Sequence, residues 1–332
     1  MTILRSYSTA AELPAAWNGI AAGNPFLQRD SLNILEDVNP CGQRYYLAGE
    51  GTEGSIAVTY RHKLNVLTFW RSQGIRIPVT VIGCPLSVGE PGYVFGDAAS
   101  GMALRHHLAT LAGITLVLNA EAGASWPGWN DGLTLPGCRL VLPADGGMST
   151  WLASFRSSYR RRIRQAQSRW EGVAASRLLP SEFGLDYYAL YRSVWQRSAF
   201  QLECQPVDFF QRFPARITGF KMQGHALGFI QTVRDGGTLY FLFGGMDYAL
   251  RDRYDVYWNL LLAVIAEAFE EGCHTVELGQ TAELAKQRLG GQLVARHLHA
   301  RHANKAVNKG LRMAARCLSY RPPEGGVHVF RR

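Results

Sequence analysis

The sequence predicts a mixed α/β (α+β) fold, with largely antiparallel sheets arranged in two domains of similar layout. Length is the first observation behind this prediction, because 332 residues are enough for two ordinary domains. Order is the second: segments rich in β-branched and aromatic residues alternate with amphipathic helical segments in both halves. We therefore expect one domain over 1–148 and another over 149–332, with the boundary at Pro143–Met148.

The first half opens with helical patterns and continues mainly as strands. Helices are expected over 10–22 and 27–38, and a third over 102–111. The predicted strands cover 45–48, 55–60, 64–70, 114–118 and 138–142. A helical start followed by strands is also the layout of the second half, which is why we expect two related domains.

The second half contains a predicted antiparallel meander, with strands over 217–222, 226–234 and 238–243. Helices over 151–170 and 183–200 precede it. A long helix over 255–271, closed by Gly272, follows it. The remaining elements are strands over 274–278 and 293–300, a short helix over 282–289 and a basic helix over 304–320.

Positive charge is concentrated in the second half of the sequence. Residues 1–150 contain 9 Lys+Arg and 11 Asp+Glu, whereas residues 151–332 contain 26 and 15. This imbalance predicts an anionic partner: a nucleic acid, a phosphorylated cofactor or an anionic membrane surface. The alternative is a basic protein that its charge merely keeps in solution.

Two basic helices are candidates for phosphate contacts. Arginine offers a fixed fork of donors that suits phosphate, and residues four apart share one face of a helix. The candidate contacts to RNA or phosphate are Arg156, Arg160, Arg161, Arg164, Arg251, Arg253, Lys305 and Lys309. A solvated helix is the alternative for the arginines, and peripheral membrane contact is the alternative for the helix over 304–320.

A third motif joins Glu277-Leu-Gly-Gln280-Thr281 to Lys286-Gln-Arg-Leu-Gly290-Gly291. Gln280 comes at the end of a predicted strand, where ligands bind in open α/β sheets, and Thr281 is the expected cap of the next helix. Lys286 lies one turn into that helix, so it could contact a carboxylate, a phosphate or a developing oxyanion. The alternative is a surface lysine followed by glycines that only end the helix.

No metal site is predicted from the cysteines and histidines. The six cysteines lie far apart and outside any metal-ligand spacing, which favours a reduced interior. His297, His299 and His302 alternate along one segment, but no acidic residue or cysteine nearby completes a ligand set.

Several short motifs resemble the Fem-type peptidoglycan transferases and their GNAT relatives. Lys286–Gly291 is similar to their K-x-x-[FL]-G-G motif, and Arg160–Ala166 is similar to their R-x-x-[LI]-R-x-A segment. The long helix ended by Gly272, the strand after it and Asn24–Leu27 also resemble the corresponding parts of those proteins. The resemblance implies a GNAT-type fold, in the tandem form that the two similar halves predict, and acyl or aminoacyl transfer to an amine.

The resemblance leaves the acyl donor open. Acetyl-CoA enzymes of this fold hold the pyrophosphate on a Q/R-x-x-G-x-G/A loop at a helix N-terminus, where glycine lets the backbone approach phosphate closely. Here Arg251–Val256 replaces that loop without its glycines, and Asp255 would repel a phosphate. Fem enzymes lack this loop and take their group from aminoacyl-tRNA, although the chain lacks their coiled-coil arm. We therefore expect aminoacyl-tRNA as donor, with acyl-CoA as the alternative and a non-catalytic RNA-binding protein as a third reading.

The predicted reaction assigns roles to named residues. A small-molecule or peptide amine attacks the acyl carbonyl, and no tightly bound cofactor is expected. Glu277, Asp247 and Tyr254 are candidates to handle the proton, while Lys286 and amides of the third meander strand polarise the carbonyl. The candidate substrate-binding residues are Gln231, Tyr240, Trp258, Gln280 and Gly290.

The chain is expected to be cytoplasmic. Its N-terminus has no basic segment followed by a long apolar run. The longest helical apolar stretch, Leu260–Ala266, is far shorter than the ~20 residues needed to span a bilayer.

Overall fold

A computed structural model of the protein describes residues 2–65, 76–86, 89–201, 203–321 and 327–331. Its strands are β1 (Leu4–Tyr7), β2 (Arg44–Ala48), β3 (Ser55–Asn65), β4 (Arg76–Ile82), β5 (Tyr93–Val94), β6 (Ile114–Glu121), β7 (Asn130–Leu133), β8 (Gly137–Val141), β9 (Ala174–Arg177), β10 (Arg216–Met222), β11 (His225–Asp235), β12 (Thr238–Met246), β13 (Thr275–Glu277), β14 (Gln292–Val294) and β15 (Arg296–His302). Its α-helices are α1 (Ala16–Ile20), α2 (Arg29–Val38), α3 (Ala98–Leu108), α4 (Gly147–Ser154), α5 (Ser157–Ser168), α6 (Leu185–Arg197), α7 (Val207–Arg212), α8 (Val256–Glu270), α9 (Glu283–Gln287) and α10 (Lys305–Leu318).

The chain folds into two compact units. Unit 1 comprises Met1–Pro136 and Ala295–Pro323, and unit 2 comprises Gly137–Val294 and Glu324–Arg332. These units divide the chain differently from the predicted domains at 1–148 and 149–332. The physical reason is strand pairing between distant segments, which composition and periodicity do not reveal.

Unit 1 is built on a sheet whose described strands run in the order β1-β2-β3-β4-β6-β15-β7, with β5 paired to β3. β4 and β6 are parallel, and the other pairs are antiparallel. Helix α3 packs Leu104 and Leu108 against Tyr46 and Val117. The predicted strand over 64–70 is described only to Asn65, and the remainder lies outside the described residues.

The end of the chain completes unit 1. Strand β15 lies between β6 and β7, so that His299 faces Val117 on one side and Asp131 on the other. Helix α10 follows it and is tied to β7, because Asn130 Nδ2 donates to Asn308 Oδ1 at 3.0 Å. The predicted basic C-terminal helix therefore exists, but it belongs to the unit that the N-terminal residues begin.

This exchange of segments also redistributes the charge. Unit 1 contains 15 Lys+Arg and 10 Asp+Glu, and unit 2 contains 20 and 16. The two folded units are therefore almost equally basic, and the predicted concentration of charge in one half does not describe them. An argument for an anionic partner must rest on local surfaces and not on net charge.

Unit 2 is built on a sheet whose described strands run in the order β14-β8-β13-β12-β11-β10-β9. The predicted meander is confirmed as β10, β11 and β12, and the parallel pairing of β12 with β13 gives the crossover around α8. Helix α8 packs Leu261 and Ile265 against Ile230, Leu239 and Val276 of the sheet. Rings from α6 and α7 cover the opposite face around Phe229.

The predicted helix over 151–170 is two helices. α4 ends before Phe155, whose ψ of 151° is extended, and α5 begins at Ser157. The backbone of Phe155 forms an antiparallel bridge to Phe330, and its ring is fully buried. A pairing partner 175 residues away therefore interrupts a sequence that reads locally as one helix.

Candidate active site

A candidate cleft lies in unit 2 where the pairing of two parallel strands ends. β12 and β13 pair from Thr238 opposite Thr275 to Tyr240 opposite Glu277, and β13 then ends while β12 continues to Met246. Phe241, Phe243 and Gly244 on β12 are part exposed, as are residues 279–281 in the loop that follows β13. This is the carboxyl end of two adjacent parallel strands, the position at which ligands bind in open α/β sheets.

A β-bulge lies in the same part of β12. Gln231 pairs with Phe243 and Thr232 pairs with Phe241, so Leu242 has no partner across the ladder. The bulge changes the direction of the following side chains. Phe241 packs against the core beneath α8, whereas the ring of Phe243 meets Tyr191 of α6 at 5.4 Å between centroids. The central strand of the sheet is therefore irregular at the level of the cleft.

Lys286 is enclosed beneath the loop that follows β13. Its side chain is 2% exposed, and Nζ donates to the carbonyl oxygens of Gly279 at 3.1 Å and Gln280 at 2.7 Å. Burial lowers the pKa of Lys286 to about 8, partly offset by Cys138 and Glu283. The alternative of a surface lysine is wrong, and the ammonium group is engaged by the backbone of its own chain.

The loop above Lys286 has an unusual backbone. Gly279, Thr281 and Ala282 have φ values of 70°, 64° and 50°. A positive φ is uncommon for alanine and is an outlier for a β-branched residue such as Thr281. Thr281 is also not the helix cap that the sequence predicts, because Ala282 occupies the N-cap position of α9 without a side-chain hydrogen bond. Surrounding contacts must hold this conformation in place.

Glu277 lies at the last paired position of β13 and is 7% exposed. Arg139 of β8 is its neighbour across the ladder and donates Nε to Glu277 Oε1. Tyr240, part exposed on β12, is its neighbour on the other side. The predicted proton acceptor is thus adjacent to the cleft, but one of its oxygens is bound by a guanidinium group.

Asp247 and Tyr254 lie in the segment between β12 and α8. Asp247 accepts hydrogen bonds from Ala249 N at 2.8 Å and contacts His225 Nε2 at 2.9 Å. Burial acts to raise the pKa of Asp247, but the bonds from His225 and from backbone amides outweigh it and lower that pKa. A carboxylate of lowered pKa is a weak base. Tyr254 is part buried, with the Arg253 guanidinium 5.2 Å from the centre of its ring.

Asp255 occupies the N-cap position of α8 with φ of 48°. Arg162 donates Nη1 to Oδ2 at 3.0 Å and Nη2 to Oδ1 at 2.5 Å, and Arg169 donates Nη1 to Oδ2 at 3.1 Å. The carboxylate is 8% exposed and makes no hydrogen bond to the helix amides, so a paired anion already lies beside the N-terminus of α8. Both arginines belong to the basic segment that the sequence predicts to contact phosphate, although neither is among the named candidate contacts; Arg162 lies in α5 and Arg169 is its C-cap residue.

Three predicted substrate-binding residues are used for packing. The guanidinium of Arg162 lies 4.7 Å from the centre of the Trp258 ring. Gly290 has φ of 88°, and a Cβ there would lie 2.4 Å from the ring of Phe330. The amide of Gln231 has no hydrogen-bond partner among the described residues and no accessible surface, so no ligand reaches it in this conformation. Tyr240 and Gln280, by contrast, lie beside the cleft and are part exposed.

The predicted phosphate-binding residues are divided between the units. On α5, Arg156 and Arg160 bond to the carbonyl oxygens of Phe330 and Ala153, while Arg161 and Arg164 are exposed and have no partner within the described ranges. Arg251 pairs with Asp252 at 2.8 Å. Lys305 and Lys309 are exposed on α10 of unit 1.

Comparisons with known proteins identify a domain within unit 2. Residues 153–287 match the family described as the acetyltransferase (GNAT) domain. This segment of the chain is therefore similar to GNAT-type acyltransferases. The match covers the meander, the cleft and Lys286, and it confirms the predicted GNAT-type fold. No curated protein matches the sequence.

Solved structures share the fold of this chain over most of its length. FemX aligns with 94% of this chain and 100% of its own, at a TM-score of 0.58 and 13% identity. L-PGS from Bacillus licheniformis aligns with 80% of this chain and 87% of its own, at a TM-score of 0.52 and 13% identity. The C-terminal domain of a putative lysylphosphatidylglycerol synthetase from Agrobacterium fabrum aligns with 80% of this chain and 85% of its own, at a TM-score of 0.51 and 11% identity. The predicted Fem-like architecture is thereby confirmed.

Two findings concern metals and membranes. Among the residues that the structure describes, no group of three or more His, Cys, Asp and Glu side chains is arranged to hold a metal ion. His297 and His299 instead share Asp131, at 2.9 and 3.4 Å. No helix within the described ranges has both the length and the apolarity needed to cross a bilayer.

Proposed function

We propose that this GNAT-type enzyme transfers an aminoacyl group from aminoacyl-tRNA to the amine of a small-molecule or peptide acceptor. The observation that carries the proposal is Asp255. A helix N-terminus binds the pyrophosphate of a nucleotide through free amides and a positive dipole. At α8 the N-cap residue is Asp255, whose carboxylate makes no hydrogen bond to the helix amides but is paired with Arg162 and Arg169. A second anion there would lie beside this carboxylate, which argues against ordinary binding of acetyl-CoA.

The structural neighbours support the same proposal. FemX shares the fold over its whole length. The name lysylphosphatidylglycerol synthetase denotes a product in which an amino acid is joined to another molecule. An aminoacyl donor is therefore consistent with these structural neighbours. Their acceptors do not indicate which acceptor this protein uses.

The exposed face of α5 supplies a surface for RNA. Arg161 and Arg164 lie one turn apart and are unpaired within the described residues, so both guanidinium groups are available to phosphate. Arg162 of the same helix and Arg169, its C-cap residue, are instead paired with Asp255. Only the exposed pair is therefore assigned to tRNA. Two phosphate contacts on their own would give weak, salt-dependent affinity.

An acyl-CoA donor is the second candidate, and the family match favours it, because that family is described by acetyl transfer. The segment between β12 and α8 would then hold the cofactor in a manner that does not use the helix N-terminus. Arg251 and Arg253 are exposed on this segment and could contact its phosphates.

A paired binding experiment on the full chain separates the donors. We expect bulk aminoacylated tRNA to shift in a mobility assay at micromolar protein, with steep loss of affinity as salt rises, and acetyl-CoA to give no heat in calorimetry. The double variant R161S/R164S should lower the salt slope by about 1 to 2, whereas R192S, which removes another exposed arginine of unit 2, should leave it unchanged.

Two outcomes would redirect the assignment. Saturable acetyl-CoA binding with only weak tRNA association would make the protein an acyl-CoA-dependent N-acyltransferase. Tight tRNA binding without transfer to any amine, including hydroxylamine, would make it a non-catalytic RNA-binding protein.

A further inference from the structure

The two hydrogen bonds from Lys286 fix the direction of two peptide groups. Nζ lies 3.1 Å from the carbonyl oxygen of Gly279 and 2.7 Å from that of Gln280. Both carbonyl groups therefore point toward the enclosed ammonium. In a trans peptide the N–H on the other side of the C–N bond points the opposite way, and the described chain contains no cis peptides. The N–H groups of Gln280 and Thr281 are consequently directed away from Lys286.

The side of the loop away from Lys286 is the accessible side. Lys286 is 2% exposed, whereas Gln280 and Thr281 are part exposed. The loop also lies against β12 at the cleft, because a Cβ on Gly279 would be 3.6 Å from the carbonyl oxygen of Phe241. The N–H of Thr281 has no acceptor within the described residues. An unpaired amide at the mouth of a cleft is ready to bind an oxygen atom from outside the chain.

We propose that the amide of Thr281 binds the acyl carbonyl oxygen and that Lys286 is the positioning residue that aims it. The proposal rests on the proposed acyl transfer but not on the identity of the donor. It differs from direct polarisation of the carbonyl by Lys286, since an enclosed ammonium with two backbone acceptors is already engaged.

The step balances without a co-reactant. The neutral amine forms a bond to the acyl carbon, and the carbonyl oxygen takes the electron pair as an oxyanion held by the Thr281 amide. The oxyanion then re-forms the C=O bond, and the bond from carbon to the ribose oxygen of tRNA, or to the sulfur of CoA, breaks. The amine loses one proton and the leaving group gains one. The left-handed conformation of Thr281 is the strain that this arrangement requires.

The test uses the full-length protein labelled with [15N]threonine. The amide signal of Thr281 is assigned with T281S, and Thr218, Thr232, Thr238 and Thr275 of unit 2 serve as internal references. Puromycin, a stable amide analogue of an aminoacylated tRNA 3′ end, and acetyl-CoA are titrated separately. We expect the donor that binds to move the Thr281 signal saturably and more than any reference signal. In K286M the same donor should leave Thr281 unmoved, even though the reference signals show a folded protein.

A second variant guards against misfolding of K286M. Replacing Thr281 by its α-hydroxy acid analogue exchanges the N–H for an ester oxygen and leaves Lys286 intact. We expect this change to lower kcat for transfer to hydroxylamine by about 100-fold, with a much smaller change in KM, as for loss of one oxyanion donor.

The outcomes separate this proposal from the choice of donor. A Thr281 response to acetyl-CoA alone would support the proposed role of the loop amide and overturn the proposed tRNA donor. Binding of puromycin by calorimetry without a Thr281 response would overturn the role of the loop amide and support the tRNA donor. An unchanged kcat in the ester variant would also overturn that role, and binding of neither probe would overturn both proposals.

Discussion

Two regions of unit 2 offer backbone amides beside the same sheet, and they differ in what the chain has done with them. At the N-terminus of α8, Asp255 supplies an anion from within the protein, and Arg162 and Arg169 pair with it. At the loop before α9, Lys286 supplies a cation to the carbonyl side and leaves the amide side turned outward. Each region combines a buried charged side chain with backbone in the left-handed conformation. The first region places an anion at a helix N-terminus, and the second turns an amide outward.

The largest expected effect comes from removing the cation. K286M leaves the carbonyl oxygens of Gly279 and Gln280 without their donor, so the loop loses its orientation. We expect kcat for transfer from the donor that binds to hydroxylamine to fall by about 100-fold or more. K221M is the control, because Lys221 lies over the ring of Tyr187 and away from the loop. Equal activity of K286M and K221M would remove the distinction between the two regions.

The second prediction concerns pH and the stability cost of the buried ammonium. The pKa of Lys286 is lowered by burial to about 8 in the folded state, against an ordinary 10.5. Between these values the unfolded chain binds more protons, so stability rises with pH. Relative to K286M, the free energy of unfolding should increase by about 3 kcal/mol from pH 8 to above pH 10.5. Urea titrations of both proteins across this range measure it, and parallel curves would contradict a buried charged lysine.

The third prediction concerns the anion. D255A leaves two guanidinium groups without their carboxylate, but both are about one-third or more exposed, at 33% and 44%, and can be hydrated. We therefore expect a loss of about 2 kcal/mol in the free energy of unfolding, below the range for fully buried pairs. D252A removes a carboxylate whose side chain is 83% exposed and should change stability by less than about 0.5 kcal/mol.

A related variant tests whether the N-terminus of α8 binds an external phosphate once Asp255 is removed. D255G keeps the left-handed backbone, empties the N-terminus of α8 and frees Arg162 and Arg169 for an external phosphate. Calorimetry should show acetyl-CoA binding at least about tenfold tighter than in the natural protein. No gain in affinity would mean that Asp255 is not what keeps a pyrophosphate from this helix.

The smallest expected effect concerns strain in the loop. Asparagine tolerates a left-handed backbone better than threonine does, so T281N should raise the free energy of unfolding by about 0.5 to 1 kcal/mol. T275N, on the regular strand β13, should lower it by a similar amount because asparagine is unfavourable in strands. Thermal denaturation of the two variants compares them directly. A loss of stability in T281N would show that the threonine side chain makes a contact worth more than the strain.

Local sequence pattern correctly predicted those elements of unit 2 that depend only on neighbouring residues. The meander, α8 and the position of Lys286 after β13 follow from alternation, helical spacing and glycine at the helix end, and the structure contains all of them. Features that depend on pairing between distant residues could not be predicted from local pattern. The break at Phe155 depends on Phe330, and the ion pairs of Asp255 depend on residues 93 and 86 positions earlier. Gln231 is predicted to bind substrate, but only the packed structure shows that its amide is fully buried.

The position of β15 between β6 and β7 determines when the sheet of unit 1 can be completed during synthesis. A ribosome makes β6 and β7 before unit 2, yet these strands pair with β15 and not with each other, and β15 begins only at Arg296. The sheet of unit 1 must therefore stay incomplete, with unpaired edges on β6 and β7, until Gly137–Val294 of unit 2 has been made. Unit 1 cannot be complete before the main segment of unit 2 has been synthesised.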